Sequence, residues 1–214
     1  MDPDRLTALE ATPLEVRPAF ATLWNLDLIF ADIVASTTQP ELGAIRMAWW
    51  RERLQELDTG AGAPAEPRLK AIKRQLIERG IGGGELSKLE DGWLALLEPF
   101  PWGENVVQAV RHRGRVLFGI GAQLLGGDSG SAKAAGALWS LVDVGRHCSD
   151  AESRASLCEA ARISLDEVPT KLPSILRPLT ILAALAAYDL RPGGRLGRVG
   201  VALVHRLRGY IPRG

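Results

Sequence analysis

Acids, arginines and tryptophans occur together at helical spacing between residues 25 and 53, more densely than elsewhere in the chain. The first half of this segment predicts a helix on which Asn25, Asp32 and Ser36 share one face, because they are seven and four residues apart. Asp27 lies about 140° round the helix from Asp32, at about 100° per residue. Such a face could line a cavity, with Asp32 as a ligand for Mg²⁺, a hard cation that binds carboxylates. On spacing alone, a solvated helix face is the simpler interpretation.

The second half of the segment predicts another helix, which begins near Pro40 and carries Arg46, Trp49 and Arg53 on one face. Trp49 could contact both guanidinium groups through cation–π interactions. Two arginines seven residues apart could bind a diphosphate through charge-assisted hydrogen bonds. Arg46 could equally form a structural ion pair with Asp32 on the preceding helix. The sequence alone leaves both interpretations open.

A third candidate acid is Asp143, which begins the run D-V-G-R-H. A metal-binding helix face needs a second carboxylate one turn later. His147 occupies that position, and Arg146 precedes it. A lone Asp beside an Arg is more typical of a salt bridge than of a metal ligand. Asp27, Asp32 and Asp143 are therefore only weak candidates for binding a metal.

Composition and charge exclude several classes of function. The chain has 214 residues, of which 46% are hydrophobic and 24% charged, as in an ordinary globular protein. A formal net charge of +1 argues against a general nucleic-acid binder. Walker A, G-x-S-x-G and H-E-x-x-H motifs are missing from the sequence. Two cysteines in a C-x9-C pattern make neither a metal site nor a disulfide framework, which favours a reducing compartment.

The N-terminal residues are charged and lack the apolar stretch of a signal peptide, and the most apolar run, residues 179–187, is too short to span a bilayer. We therefore expect a cytoplasmic protein. The strongest charge asymmetry is in the last 24 residues, which have six arginines and no acid. These arginines are Arg191, Arg195, Arg198, Arg206, Arg208 and Arg213. They could attract anionic lipid or an acidic protein, or could simply be solvated cations near a helix C-terminus.

A second, smaller basic patch is predicted around residues 111–115, which include Arg111, His112, Arg113 and Arg115. Its four members lie within a single predicted helix.

Apolar residues recur every three or four positions along almost the whole chain, which predicts helices. All of the side chains named above should therefore lie on helices. The pattern predicts a single all-α domain of about nine or ten helices. The predicted helices are residues 3–11, 18–36, 40–57, 68–79, 85–98, 104–125, 131–147, 151–162, 177–190 and 195–209, with a flexible linker at 59–67. Gly114 and Gly121 share one face of the longest helix and predict a close approach by a neighbouring helix.

The run P-E-L-G-A-I-R-M-A-W-W-R-E resembles a segment of the squalene/phytoene synthase family. Four further segments are similar to later helices of the same family: R-V-L-F-G-I-G-A-Q-L-L-G-G, A-A-G-A-L-W-S-L-V-D-V-G, L-P-S-I-L-R-P-L-T-I-L-A-A-L-A-A-Y and L-V-H-R-L-R-G-Y-I-P. The resemblance covers most of the chain and implies an all-α isoprenoid synthase fold over residues 1–214. In that family, two aspartate-rich motifs hold Mg²⁺ ions, which bind the diphosphates of two prenyl substrates before head-to-head coupling.

The sequence departs from the family pattern at both aspartate-rich motifs. One turn after Asp27 and Asp32, the chain has Ala31 and Ser36 instead of acids. The second motif is reduced to Asp143, since Arg and His follow where its later acids would lie. The chain is also shorter than the family pattern. We therefore expect a catalytically degenerate member that serves as a prenyl-lipid-binding or assembly-type module, like the complex I assembly factors of the same superfamily.

The alternative is an active Mg²⁺-dependent prenyl diphosphate transferase in carotenoid, hopanoid or squalene biosynthesis. The residues expected to line the cavity or bind a diphosphate are Asn25, Asp32, Arg46, Trp49, Arg53, Asp143 and Arg146. The expected partners are a prenyl diphosphate or another isoprenoid lipid, and a membrane surface or protein bound through the basic C-terminus. The protein would then be peripheral to the inner membrane. An apolar cavity with Asp32 facing Asp143 would favour the enzyme, whereas an Arg46–Asp32 bridge and a cavity filled by Trp would disfavour it.

Overall fold

Every regular element in residues 2–60, 65–190 and 197–213, the parts of the chain that the computed structural model describes, is a helix. One isolated β-bridge joins Lys171 and Tyr210. The predicted all-α bundle of nine or ten helices is confirmed, since ten of the eleven α-helices in these ranges have six residues or more. The helices are α1 (Pro3–Ala11), α2 (Arg17–Ser36), α3 (Pro40–Glu56), α4 (Pro67–Gln75), α5 (Gly83–Leu86), α6 (Leu89–Leu94), α7 (Glu104–Leu125), α8 (Ser129–His147), α9 (Ala151–Glu167), α10 (Arg177–Leu190) and α11 (Arg198–Arg208).

Proline and glycine set most of the helix ends. Proline lies in the first turn of α1 to α4, where its missing N–H would have no partner inside the helix. Gly126 and Gly209 follow α7 and α11 with φ of 70° and 75°, a left-handed conformation that glycine adopts at little cost. Asp2, Asp128 and Asp150 accept backbone N–H groups at the starts of α1, α8 and α9. These local signals explain why α1 and α7 have the predicted bounds.

The single helix predicted at residues 85–98 is wrong. The structure has two short helices there, α5 and α6, and a 3-10 turn from Ala95 to Leu97. The carboxylate of Asp58 accepts the N–H groups of Gly83 and Gly84 at 2.6 and 2.8 Å, which starts α5 earlier than predicted. Side chains beyond Gly would not fit at Gly83, because a Cβ there would lie 1.9 Å from the carbonyl oxygen of Leu54.

Several other predicted bounds also differ, two of them by four residues or more. The helix predicted at residues 68–79 ends as an α-helix at Gln75 and continues as a 3-10 turn, and α9 reaches Glu167 instead of residue 162. Ser164 and Leu165 are buried, so the last turn of α9 is held by packing that its own sequence does not reveal. Residues 61–64 of the predicted linker lie outside the described ranges, as do the predicted turn at 191–194 and residues 195–196 of the last predicted helix.

Helices α7 and α8 pack closely against each other. A Cβ on Gly114 would lie 2.0 Å from the carbonyl oxygen of Gly136, and a Cβ on Gly136 would lie 2.1 Å from that of Gly114. Ser140 of α8 donates a hydrogen bond of 2.6 Å to the carbonyl oxygen of Val110. A Cβ on Gly121 would lie 2.9 Å from a methyl group of Leu179 on α10. The predicted close approach at Gly114 and Gly121 is therefore confirmed.

By length and composition, α2 is long and apolar enough to cross a membrane, although half of that segment is buried inside the bundle. Its buried residues include Phe20, Leu23 and Trp24. This burial is typical of a core helix, and the fold is compatible with a soluble protein.

Candidate functional site

Two carboxylates and two guanidinium groups meet where α1, α2, α7 and α8 converge. Arg5 of α1 donates from Nη2 to Oδ2 of Asp27 on α2 at 2.8 Å, and Nη1 of Arg113 on α7 lies 3.7 Å from Oδ1 of Asp27. Oδ2 of Asp143 on α8 accepts from Nη2 of Arg113 at 3.3 Å and lies 3.6 Å from Nη2 of Arg5. We call these four residues the Asp–Arg network. Each carboxylate faces both guanidinium groups.

Tryptophan rings enclose the Asp–Arg network. Trp93 of α6 donates its Nε1–H to Oδ1 of Asp27 at 2.8 Å, and its ring centroid lies 4.1 Å from the guanidinium carbon of Arg113. Trp139 of α8 lies 5.5 Å from Arg113 and 5.2 Å from Arg5. A guanidinium held over an indole face gains cation–π attraction, which increases when the site is desolvated.

The Asp–Arg network is buried and electrically balanced. The side chains of Asp27 and Arg113 are 0% exposed. Burial by itself would lower the pKa of Arg5, but the charges of Asp27, Asp143 and Asp2 outweigh burial and raise it. A buried charge is tolerated only when it is paired, and here two carboxylates neutralise two guanidinium groups.

The sequence carries a signal for this burial that the prediction missed. Asp27 lies among the core residues Leu23, Trp24 and Phe30 at helical spacing, so its carboxylate must enter the core. Arg113 follows Val110 by three residues on the buried face of α7. A charged residue in an apolar stripe indicates a buried partner of opposite charge.

The basic patch predicted around residues 111–115 is not a continuous exposed surface. Arg113 points into the core, while Arg111 and Arg115 both form ion pairs with Glu167 of α9. The pKa of Glu167 is lowered, first by its hydrogen bond from Arg111 and then by the charges of both arginines.

An apolar pocket of about 610 Å³ lies against the Asp–Arg network, between α1, α2, α6 and α8. Its apolar lining consists of Leu28, Ala31, Val34, Ala35, Trp93, Leu96, Phe100, Trp102 and Val144. Its polar lining consists of Asp2, Arg5, Asp143, His147, Cys148 and Ser149. The volume and the mostly apolar lining are typical of a site for a small organic ligand. We call this cavity the α2–α8 pocket.

Only Asp143 of the predicted cavity residues lines the α2–α8 pocket. Asn25 and Asp32 line a separate hollow of about 260 Å³, with Arg68 and Ile72 of α4. Asp32 and Asp143 therefore do not face each other across one cavity. Arg46 donates to Oγ of Ser36 at 3.1 Å. Arg5 and Arg113 form the ion pairs that link Asp27 and Asp143. Neither arginine was among the predicted cavity residues.

The arginines predicted to bind a diphosphate are not brought together. Arg53 pairs with Glu56 of its own helix at 2.6 Å, and Trp49 is 41% exposed with its ring edge-on to Trp50. Arg146 pairs with Asp4 at 3.1 Å and also with Asp189. None of these three lines the α2–α8 pocket.

The residues of the Asp–Arg network do not fit Mg²⁺. A divalent cation between Asp27 and Asp143 would have to displace two guanidinium groups that already neutralise both carboxylates. Within the described ranges, no three or more His, Cys, Asp or Glu residues are grouped so as to hold a metal ion.

Comparison of the chain with protein-family models, with curated proteins and with solved structures gives no match.

Proposed function

We propose that the protein binds an uncharged isoprenoid lipid in the α2–α8 pocket and performs no reaction on it. The observation that carries this proposal is the position of Arg5 and Arg113, whose guanidinium groups lie between Asp27 and Asp143. The isoprenoid class of ligand comes from the sequence resemblance. Among the functions expected from the sequence, this proposal keeps a prenyl lipid as the ligand and excludes the prenyl transfer reaction.

The charges at the Asp–Arg network support the proposed absence of catalysis. A departing diphosphate needs positive charge that is free to bind it, which metal ions supply in this type of reaction. The guanidinium of Arg113 is 0% exposed, and that of Arg5 is bound to Asp27. Neither can turn toward a diphosphate without leaving the two buried carboxylates with one guanidinium group instead of two, which is unfavourable.

The pocket lining favours an uncharged head group over a diphosphate. Asp2, Asp143 and Arg5 all line the pocket, and Arg5 is already paired with both of these carboxylates and with Asp27, so it is not free to bind a diphosphate. His147 donates from Nδ1 to the carbonyl oxygen of Asp143 at 2.8 Å, so Nε2 of the neutral ring can accept a hydrogen bond from a hydroxyl. A prenyl alcohol, or another isoprenoid with a small polar end, suits this combination.

Thermal unfolding with farnesol and with farnesyl diphosphate tests the ligand. A ligand that binds only the folded state at about 100 times its Kd stabilises it by about 2.7 kcal/mol, so farnesol should raise Tm by several degrees. The variant Ala31→Trp fills the pocket and should abolish this shift. Its matched control is Ala44→Trp, which adds the same bulk in a different groove, between α3 and α6. If farnesol raised Tm equally in both variants, the ligand would bind outside the α2–α8 pocket.

Incubation with farnesyl diphosphate and Mg²⁺ tests the absence of turnover. We expect no release of diphosphate above the rate without protein. Mg²⁺-dependent release that disappears in Asp27→Asn or Asp143→Asn would overturn the proposal and favour an active prenyl transferase. With a lipid as ligand, we also propose the expected location, a cytoplasmic protein that works at the surface of a membrane.

A further inference from the structure

Helix α11 is apolar on two opposite sides. Val201 and His205 face the core and are buried, whereas Val199, Leu203 and Leu207 face solvent with exposures of 84%, 56% and 66%. These three residues are four apart, so they form one stripe along the helix. We call them the α11 stripe. Soluble proteins rarely keep such a contiguous apolar stripe exposed unless it contacts a partner.

The α11 stripe is held as a preformed surface. Arg177 of α10 donates from Nη1 to the carbonyl oxygen of Leu207 at 2.8 Å. Beyond the helix, Leu172 and Ile211 donate backbone hydrogen bonds to Gly209 and Thr170 at 2.9 and 3.0 Å. At its other end, Arg198 pairs with Asp4 and Asp189. Both ends of α11 are therefore anchored to the bundle.

Positive charges lie at the C-terminal end of the α11 stripe, whereas Arg198 at its other end is paired with Asp4 and Asp189. Arg206 and Arg208 are exposed at the end of α11, and neither forms an ion pair with any residue that the structure describes. Lys171 is also exposed and lies beside the half-exposed ring of Tyr210, with its Nζ 6.0 Å from the ring centroid. Residues 197–213, which include α11, contain no acid.

We propose that the α11 stripe docks the protein onto the surface of an anionic lipid bilayer. The three apolar side chains would enter the boundary between headgroups and acyl chains, where an amphipathic helix lies in the plane of the membrane. Arg206, Arg208 and Lys171 would contact the anionic headgroups. Tyr210 suits this boundary because its ring is apolar and its hydroxyl is polar.

A second copy of this chain fits the same surface less well. Two copies that met through the α11 stripe would bring the same cations together, and like charges that face each other disfavour association. The proposal concerns a surface separate from the α2–α8 pocket and does not depend on what that pocket binds.

Vesicle flotation of the full-length protein tests the proposal. We expect binding to vesicles that contain about one-third anionic lipid, little binding to zwitterionic vesicles, and release as salt screens the charges. The double variant Leu203→Gln/Leu207→Gln should weaken binding about tenfold or more, since it removes two apolar anchors. Arg206→Gln/Arg208→Gln should reduce binding to the level seen with zwitterionic vesicles. Val199→Glu, at the most exposed position, should weaken binding independently.

The matched control is Leu42→Gln/Ile45→Gln on α3, where both residues are also exposed, at 54% and 65%. This variant should bind vesicles like the unmodified protein. Equal losses in the α3 and α11 variants, or unchanged binding in the α11 variants, would overturn the proposal. Sedimentation that showed a dimer dissociated by Leu203→Gln/Leu207→Gln would also overturn it, in favour of a second copy.

Discussion

Arg5 and Arg113 each contact both carboxylates of the Asp–Arg network, so these four side chains depend on one another at the residue scale. Such a network contributes little net stability compared with apolar side chains of equal volume, because all four groups lose water on burial. Removing one member is different, since a buried charge is then left without its partner.

Arg113→Met should therefore strongly destabilise the protein. It removes one of two cations that neutralise Asp27 and Asp143, and the expected loss in the free energy of unfolding is about 3–5 kcal/mol. Urea unfolding followed by circular dichroism measures it. Arg115→Met on the same helix is the control, because its pair with Glu167 is exposed and should cost about 1 kcal/mol or less. Similar losses in the two variants would contradict the structural role of the Asp–Arg network.

His205 makes stability depend on pH. It is fully buried, with ring nitrogens 3.0 Å from Oγ1 of Thr180 and 2.9 Å from the carbonyl oxygen of Tyr210. Burial lowers its pKa against the opposing effect of the Tyr210 carbonyl, and the charge of Arg177 lowers it further. Protonation of His205 is less favourable in the folded state than in the unfolded state. The contribution of His205 to stability is therefore fully present above the unfolded pKa of about 6.5 and is lost as pH falls toward the folded pKa.

Urea midpoints measured between about pH 7.5 and 5 should fall with pH, and His205→Gln should remove this His-dependent part of the slope. The control is His112→Gln, since His112 is exposed and should leave the slope unchanged. A slope that persists in His205→Gln would assign the effect to another group.

Some residues of the site could be predicted from the sequence, but their grouping could not. The acids Asp27, Asp32 and Asp143 were all identified, but their spacing did not reveal which of them share a site. Asp27 and Asp143 lie on helices far apart in the chain, and they are linked through Arg5 of α1 and Arg113 of α7, each of which contacts both acids. Arg5 was missed because nothing in the neighbouring sequence distinguishes a buried Arg from a solvated one.

At the element scale, the contact between α7 and α8 depends on Gly114 and Gly136, which let the two backbones approach. The variant Gly114→Ala would place a Cβ 2.0 Å from a carbonyl oxygen, so the helices must separate. We expect a loss of about 1–3 kcal/mol or more in the free energy of unfolding, measured by urea unfolding.

The matched control for this element is Gly145→Ala on α8. A Cβ there would meet Leu157 at 3.8 Å, an ordinary contact distance. Because alanine favours the helix, this variant should be neutral or gain about 0.5–1 kcal/mol. Equal effects at the two positions would mean that helix propensity, and not the close approach, decides the outcome.

Helix ends were predictable where the cause is local and were missed where it is tertiary. Gly126 and Gly209 end their helices through their own conformational freedom, and those ends were predicted closely. The start of α5 was missed because it is fixed by Asp58, a residue 25 positions away from the N–H of Gly83. No pattern of apolar residues within one helix reports such a contact.

At the scale of the whole molecule, a cluster of four charged residues joins four helices, of which α1 and α8 are remote in sequence from α10 and α11. Asp4 of α1, Arg146 of α8, Asp189 of α10 and Arg198 of α11 form ion pairs around a closed ring. The ring fastens the first and last described helices to the same place on the bundle. Its members are 22% to 37% exposed, so water and salt weaken their attraction.

Asp189→Asn should loosen α11 without unfolding the bundle. It leaves Arg146 and Arg198 with one carboxylate instead of two, and we expect a local cost of about 1 kcal/mol or less. Hydrogen exchange of α11 amides should then be up to about fivefold faster, while exchange in α7 and α8 stays unchanged. Salt at about 1 M should reduce the difference. Faster exchange throughout the chain would instead indicate a loss of global stability.

The fluorescence of the tryptophans that line the α2–α8 pocket should report whether a ligand is bound there. Trp93 and Trp102 both face the pocket. Their indole emission should therefore respond when a ligand replaces water beside the rings, and a conjugated polyene would quench it by energy transfer. Because Trp93 is hydrogen-bonded to Asp27, the same emission would also report rupture of that bond. Ligand entry and the integrity of the buried charges can thus be followed by fluorescence without any label.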